Sequence, residues 1–583
     1  MSNSPSVKFT IENNNMEQTT PLVGVSCFLA RTKKGPYNDP SKVITSVSQF
    51  RDIFGDEIVP DGTPSNIEKA LVGGSKLRII RVPGKGYFKG VLLDSNTDSS
   101  LTKPEEEQVP KEIISLAQGD KKVTIGFFTK VGDEPVDGAK TFTVKFYKQA
   151  NTIYYSITGT GKTTVLETNP VITYKDADTV NKTSVDYIAF GNFLKNSSFL
   201  EPKVLTSTLV EGNSIESILE WLSNTVDNSD TALTVQVTKK TVSATEEPVE
   251  VISQVGSSGT APTADEWIAS AEYLRDYTEP YQVLCSHLSQ HIETDSDVLK
   301  VHKALKEMAD ELKEFVYYIE VPKYTTHYTQ GTQVRDNKGI NTWINTCLGT
   351  IGNSAFVAYF AGGIKYYNQL GNLVNSDVLG TIAGLGDASA SNYGPWRSFA
   401  GMNRGVIYDG NGPACPNYGS PSRYNELNEL AHNYANMIVV RDTRNSGKRT
   451  MLWHCFTSQV KQDSFRFLAI VRLVLYLKKF LRPILESYIE EPNLWTTWNS
   501  IYLQVKPELD DLVEQDAMSE YTWMGDQNAS SYKDLEVNNE QDVRQGKYKV
   551  ILKFKEVVPL QEISMVLSID RSSNTVSTEL VTD

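Results

Sequence analysis

A strand–helix–strand pattern that occurs in two separate stretches of the chain is the strongest constraint on the fold. In residues 21–90, apolar strand-like runs flank short helical patterns that follow Ser46 and Ser65. Residues 256–440 show the same alternation, with helical patterns leading into short apolar strands. Short strands that alternate with helices are typical of a layered α/β sheet. The sequence therefore predicts one α/β core formed by the two stretches together.

Residues 91–255, between these stretches, differ in composition and in hydrophobic pattern. They are rich in Thr, Val, Tyr, Asp and Asn, and runs such as 140–148 and 152–159 alternate apolar with polar residues. Alternation with period two is typical of half-buried strands. We expect a β-rich domain inserted into the α/β core.

Both ends of the chain carry isolated strand-like segments. In the N-terminal arm, residues 1–20, Val7, Phe9 and Ile11 alternate with polar residues and have no hairpin partner nearby. The C-terminal arm, residues 571–583, contains Val576 and Leu580. A lone strand must pair with a distant segment or with another chain. These residues are our candidates for intersubunit strands.

Residues 441–570 predict a C-terminal domain of helices and strands. The most regular helical pattern runs from Ser464 to Glu490, with Pro483 as a kink, and a second helical stretch follows it. Two strands are expected around Pro559. The segment 349–419, rich in Gly, Asn and Tyr, is expected to be packed loop. The predicted fold class is mixed α/β or α+β, with several domains and extended terminal arms.

Composition excludes several classes of protein. The 583 residues include 71 acidic against 57 basic side chains, a net charge of −14, which argues against non-specific nucleic-acid binding. A hydrophobic content of 39% excludes a disordered chain, and no apolar run is long enough to predict membrane insertion. Five widely spaced cysteines predict reduced thiols and assembly in a cytosol.

The motifs that resemble catalytic or binding sites lack the surrounding residues that such sites need. The sequence GTGKTT at 159–164 resembles a phosphate-binding loop, but Ser156 replaces the first glycine and a strand-like run follows. A hairpin turn is favoured there. His287 and His291 have the spacing of two ligands on one helix face but no further ligands nearby, and His454 stands beside Cys455. We predict no catalytic, metal or cofactor site.

Charge is unevenly distributed near the C-terminus. Residues 441–482 contain ten basic and two acidic side chains, whereas residues 486–542 contain fourteen acidic and two basic ones. On a helix, Arg472, Lys478, Lys479 and Arg482 fall on about one third of the circumference, with Arg466 less well aligned. This basic face either pairs with the acidic residues of its own or a neighbouring chain, or it is a docking surface for an acidic partner.

Several blocks of sequence, in order, resemble contractile tail sheath proteins of bacteriophages and related injection machines. The resemblance covers roughly residues 5–90 and 260–570. The N-terminal blocks are 21–25, 31–36, 44–46, Phe50, 54–55 and 77–82. The C-terminal blocks are 394–396, 400–401, 436–438, 449–453, the helix 467–481, 491–493 with Trp495 and Trp498, and 546–569.

The resemblance implies a structural subunit and no enzyme. Such subunits form hexameric rings that stack as a helix around an inner tail tube, contact baseplate and tail terminator proteins, and contract within the tail of a virion. It implies that the arms add strands to neighbouring subunits, and the basic face, including Arg466, is our candidate for tube contact. The alternatives are a sheath-fold ring or baseplate component, the sheath of a headless injection device, and a nucleotide-binding enzyme.

Overall fold

The structure is a computed structural model that describes most of the chain. The described residues are 22–33, 35, 43–59, 63–85, 87, 90–94, 110–129, 141–159, 165–173, 186–197, 199–209, 215–227, 233–237, 240–241, 249–254, 259–322, 337–367, 373–443, 447–461, 463–561, 567–568 and 579–580. The N-terminal arm with Val7, Phe9 and Ile11 lies outside them, as does Val576.

The first stretch of the core folds as its pattern predicts. Its elements are β1 (Val25–Ala30), α1 (Val47–Phe54), α2 (Asn66–Val72) and β2 (Lys76–Arg81). Ser46 begins α1 because its side chain accepts a hydrogen bond from the Gln49 amide, and Ser65 begins α2 by accepting one from the Glu68 amide. β1 and β2 pair in parallel.

The inserted stretch forms a sheet of its own, with two helices that the sequence analysis did not predict. Its strands are β3 (Gly90–Asp94), β4 (Ile114–Gln118), β5 (Lys121–Thr129), β6 (Thr141–Gln149), β7 (Thr152–Gly159), β8 (Val165–Thr173), β9 (Leu200–Ser207), β10 (Thr234–Val237), β11 (Lys240–Thr241) and β12 (Val249–Gln254), and its helices are α3 (Tyr187–Asn196) and α4 (Ile215–Asp227). Phe127 and Tyr155 pack against Phe193 of α3 in its apolar centre. The first and last strands are neighbours, so that Val91 lies opposite Gln254.

The second stretch of the core is regular throughout most of its length. Its elements are α5 (Ala264–Ala271), β13 (Gln282–Cys285), α6 (Leu288–His291), α7 (Asp295–Leu312), β14 (Val316–Glu320), α8 (Asn337–Ile351), β15 (Val357–Ala361), β16 (Ile364–Tyr367), β17 (Leu373–Ser376), α9 (Leu379–Tyr393), α10 (Gly401–Arg404), β18 (Val406–Ile407), α11 (Tyr424–His432), β19 (Ala435–Thr443) and β20 (Gly447–Leu452). The expectation of packed loop at 349–419 is therefore wrong, since that segment contains strands and the helix α9.

One eight-stranded sheet joins the two core stretches within the described residues. Its order is β18-β20-β19-β15-β14-β13-β1-β2, with parallel pairing from β19 through to β2. The hairpin β19–β20 belongs to this sheet, so the second part of the core extends past the boundary predicted at residue 440. Strand order reverses at β1, which lies between β13 and β2.

The C-terminal stretch begins with two long helices. Its elements are α12 (Leu468–Glu486), α13 (Trp495–Glu514), β21 (Met518–Met524), α14 (Glu540–Arg544), β22 (Ile551–Glu556), β23 (Leu567–Ser568) and β24 (Glu579–Leu580). The helix predicted at 464–490 is shorter at both ends, and Pro483 lies inside it. Among the described residues, no helix combines the length and apolar character needed to cross a bilayer.

Apolar side chains cover both faces of the core sheet. One cluster contains Trp267 of α5 and Trp343 of α8. The other contains residues of α2, α9, α12 and α13, among them Leu473 and Val505. The helix α12 is therefore packed into the same apolar cluster as the core sheet, which places its basic residues against the α/β core.

Candidate functional site

Three of the basic residues predicted on α12 converge on a single carboxylate of the core. Glu314 lies in the turn between α7 and β14, and its side chain is 9% exposed. The Lys478 amine lies 2.5 Å from Glu314 Oε1, and the Arg482 guanidinium donates to the same oxygen. Lys479 Nζ lies 3.9 Å from Glu314 Oε2. Glu314 therefore anchors the second half of α12 to the core.

Backbone carbonyls complete this contact. Lys478 Nζ donates to the Leu312 carbonyl at 2.8 Å, and Lys479 Nζ donates to the carbonyls of Glu314, at 2.8 Å, and Thr278. Leu312 is the last residue of α7, where unpaired carbonyls carry partial negative charge. Lys478 thus binds the negative end of α7 as well as the carboxylate.

Burial and the neighbouring charges shift the pKa values of Lys479 and Glu314 in this cluster. Burial lowers the pKa of Lys479 to about 7, although the Glu314 carboxylate opposes the shift. Burial would raise the pKa of Glu314, but hydrogen bonds from Arg482 and Lys478 and the charge of Lys479 outweigh it, so this pKa lies below its usual 4.5. The carboxylate is held ionised by the cations around it.

Arg472 lies deeper, between α12 and α9. It is 1% exposed, its Nη2 donates to the Gly386 carbonyl at 3.0 Å, and its guanidinium lies 5.1 Å from the centre of the Phe399 ring. Next to Gly386, Asp387 accepts hydrogen bonds from Ser26 and Gln282. Burial raises the pKa of Asp387 to about 6, against these hydrogen bonds and the charge of Arg472.

The prediction of one exposed basic stripe is therefore wrong in its geometry. Arg472 and Lys479 are buried, because α12 packs against the core sheet with these residues turned inward. Lys478 and Arg482 keep 37% and 29% of their side chains exposed. Arg466 precedes α12 and lies with its guanidinium 5.1 Å from the Phe456 ring centre. No acidic residue of 486–542 pairs with the stripe among the described contacts, since Glu314 takes that place.

A second candidate surface is the two-stranded sheet of β21 and β22. These strands pair with each other, and among the described residues neither pairs with any further strand. Met518 and Trp523 of β21 are buried in the apolar cluster that also holds α12 and α13. Within the described ranges, both outer edges therefore lack a paired strand, on a sheet whose other side packs against the apolar cluster.

The predicted C-terminal strand residue Leu580 has a partner within its own chain. It lies in β24 opposite Leu567 of β23. Whether it also reaches a neighbouring subunit stays a prediction, as do the roles of Val7, Phe9, Ile11 and Val576 outside the described residues.

The flanks of the GTGKTT motif form a hairpin. Thr158 of β7 lies opposite Val165 of β8, and the two strands are antiparallel. A phosphate-binding loop needs a helix directly after it, and here a strand follows. Residues 160–164 themselves lie outside the described part of the chain.

His287 belongs to a buried polar cluster that the sequence analysis missed. It precedes the short helix α6 instead of sharing a helix face with His291. Its Nδ1 lies 2.8 Å from Asp377 Oδ2, and the Asn66 amide donates to the same oxygen at 2.8 Å. Burial would raise the pKa of Asp377, but His287 and Asn66 lower it. Both side chains are at most 1% exposed, so the cluster joins structural elements out of reach of solvent.

The remaining site predictions concern metals and the pair His454–Cys455. No group of three or more His, Cys, Asp or Glu side chains in the described part of the chain is arranged to hold a metal ion. Cys455 is buried, and burial raises its pKa to about 12. Burial lowers the pKa of His454 to about 4, with Arg441 and Arg466 adding to the shift. A thiol and an imidazole shifted in these directions do not form a nucleophile with its base.

Comparison with solved structures finds similar proteins. The chain is 13% identical to the sheath tail protein from Listeria innocua, with a TM-score of 0.46, covering 92% of this chain and 95% of that one. The sheath tail protein from Desulfitobacterium hafniense is 10% identical, with a TM-score of 0.42, and the match covers 95% of this chain and 100% of that one. A chain of the anti-feeding prophage helical sheath in its contracted state is 16% identical, with a TM-score of 0.40, and the match covers 53% of this chain and 76% of that one.

These relatives are sheath proteins. No protein-family model and no curated protein matches the chain.

Proposed function

We propose that this chain is the structural subunit of a contractile tail sheath. In this proposal it polymerises as stacked hexameric rings around an inner tail tube, in a virion tail or a headless injection device, and contraction drives the tube through a host envelope. It works without a catalytic site or cofactor. Assembly takes place in the host cytoplasm, together with baseplate and tail terminator proteins.

The observation that carries the proposal is the open two-stranded sheet β21–β22, in a chain whose two terminal segments have strand-like sequences. β21 and β22 leave their outer edges without a described partner, while Val7, Phe9 and Ile11 form a strand-like segment without a nearby hairpin partner. An extended segment that joins an open sheet edge gains main-chain hydrogen bonds worth roughly 0.5–1.5 kcal/mol each. Arms that add strands to a neighbour's β21–β22 sheet would link subunits into a continuous polymer.

Removal of residues 1–20 tests this linkage. The truncated chain should give folded monomers, whereas the full chain forms stacked rings in negative-stain microscopy. A sharper comparison changes only Val7, Phe9 and Ile11 to Ser, with Lys8 and Thr10 changed to Ser as the matched control, since these two alternate to the opposite face.

Two results would contradict the proposal. A truncated protein that polymerises at the same concentration as the full chain would show that the arm is not a link. A full chain that forms only one closed ring would favour the alternative of a ring or baseplate component.

Tube contact remains part of the proposal for the residues that keep an exposed surface, namely Lys478, Arg482 and Arg466. Exposed ion pairs contribute only about 0–1 kcal/mol each and weaken in salt, which suits a contact that must release the tube during contraction. Arg472 and Lys479 are left out because they are buried.

The tube contact is tested with Lys478→Gln and Arg482→Gln together, which leaves Lys479 beside Glu314. Because both side chains also contact Glu314, the melting temperature of the variant is measured first. The folded variant should polymerise but no longer co-purify with its tube protein, and high salt should have the same effect on the wild type. Lys303→Gln, at an exposed position of α7, is the control. If the double variant binds the tube as well as the wild type does, the contact lies elsewhere.

A further inference from the structure

The hairpin β19–β20 places two arginines side by side. Arg441 and Arg449 are directly opposite each other across the antiparallel pair, so both side chains point to the same face of the sheet. Both are partly exposed, and neither forms an ion pair with any described residue. Like charges directly opposite on neighbouring strands destabilise a sheet. This face therefore has an unmatched positive charge.

In the part of the chain that the structure describes, the two arginines have aromatic rings beside them but no acidic partner. The Arg441 guanidinium lies 4.4 Å from the Trp453 ring centre and 5.6 Å from that of Tyr424, and its Nε and Nη2 are buried without a hydrogen bond. Arg423, next to Tyr424, is already paired with Glu426 at 3.8 Å. The neighbouring strand residue Asp442 lies opposite Lys448, and both alternate to the other face. An anion reaching this face would find two arginines and the exposed edge of Tyr424.

The chain carries a complementary surface at the end of α12. Glu486, the last residue of α12, and Glu490 and Glu491, which follow it before α13, are exposed, and none forms an ion pair within the described residues. Ile489, among them, is 66% exposed. Three unmatched carboxylates around an apolar side chain complement two unmatched arginines beside an exposed tyrosine.

We propose that the face of Arg441 and Arg449 binds the turn 486–491 of a second copy of this chain. Copies with a net charge of −14 repel one another at a distance, so contact between them requires local pairs of opposite charge. Each copy carries both surfaces, and in the single chain they do not pair with each other. The arrangement is head-to-tail, which allows rings or helical stacks to grow. The proposal deepens the sheath function and rests on it.

A charge swap between copies tests the contact. The first variant, Arg449→Glu, spares Arg441 and its stacking on Trp453, and the second combines Glu490→Lys with Glu491→Lys. Each alone should raise the lowest concentration at which polymer sediments by about tenfold or more. An equimolar mixture should assemble near the wild-type concentration, because the swapped surfaces match each other. Arg449→Gln, a milder change, should give a smaller rise, and Lys303→Glu should give none.

Each result decides between outcomes. Assembly of Arg449→Glu at the wild-type concentration would overturn the contact, as would a mixture no better than its separate components. In either case a wild type that stacks into tubes leaves the sheath function standing. A wild type that forms no polymer would overturn the sheath function and this contact together.

Discussion

Replacing Glu314 with Gln should destabilise the packing of α12 on the core. The change leaves Lys478, Lys479 and Arg482 around a neutral side chain, and Lys479 is 6% exposed. Removal of one partner from a fully buried ion pair costs roughly 3–5 kcal/mol. Since Lys478 and Arg482 are partly exposed and can turn to water, we expect a loss of about 2–4 kcal/mol in the free energy of unfolding.

The neighbouring residue Glu311 provides a matched control. It pairs with Arg275 at 2.9 Å, but its side chain is 61% exposed. Glu311→Gln should therefore lower the free energy of unfolding far less than Glu314→Gln does. Urea unfolding followed by tryptophan fluorescence compares the two, because Trp396 packs against Tyr476 of α12 and reports on that helix.

The effect of Glu314→Gln should also depend on pH. The pKa of Glu314 in the folded chain is below its usual 4.5, so its stabilising contribution is present above that pH and is lost as pH falls through the folded value. The difference in the free energy of unfolding between wild type and variant should be largest near neutral pH and should disappear in acid. Equal costs for Glu311→Gln and Glu314→Gln, or a gap that does not change with pH, would refute the reasoning.

Two further predictions concern α9. Gly380→Ala should destabilise the chain by roughly 2 kcal/mol or more, because a Cβ there would lie 2.6 Å from the Asn66 Cα. Gly349→Ala in α8 has open space around it and should stabilise the chain by about 0.5–1 kcal/mol. Thermal melts check both variants. The pKa of Asp387 in the folded chain, about 6, lies above its usual 3.8. Its contribution to the free energy of unfolding is therefore fully present below pH 3.8 and is lost as pH rises through 6. Asp387→Asn should remove that part of the pH dependence of the melting temperature, and an unchanged profile would contradict it.

The sequence predicted the elements whose signals are local. Ser46 and Ser65 begin helices because each side chain bonds the amide three residues on, and both helices were expected there. The strands β1 and β2 were expected from their apolar runs, and the hairpin around GTGKTT from the strand-like residues after it. These features depend on neighbours in sequence, which is why they could be predicted.

The errors arose where distant contacts decide the outcome. The segment 349–419 was expected to be loop, yet Gly380 and Gly384 lie in the helix α9. Glycine is needed there because α9 passes close to the end of α2: a Cβ on Gly384 would lie 2.8 Å from the Gly73 Cα. Likewise, Lys479 and Arg472 formed a basic stripe in sequence, but only the fold shows that this side of α12 faces the core. The carboxylate that pairs with it, Glu314, is more than 150 residues away in sequence.

The pairing of β3 with β12 brings the two ends of the inserted module together. The chain leaves the core after β2 and returns before α5, and the two strands at the base of the inserted sheet hold Val91 beside Gln254. Near that base, Arg31 Nη2 donates to the Gly259 carbonyl at 2.8 Å, which ties the returning chain to the end of β1. In the proposed sheath, we therefore expect tension between neighbouring subunits to run through the core sheet and the arms. The inserted module, attached to the core at two adjacent points, could then be exchanged without altering that path.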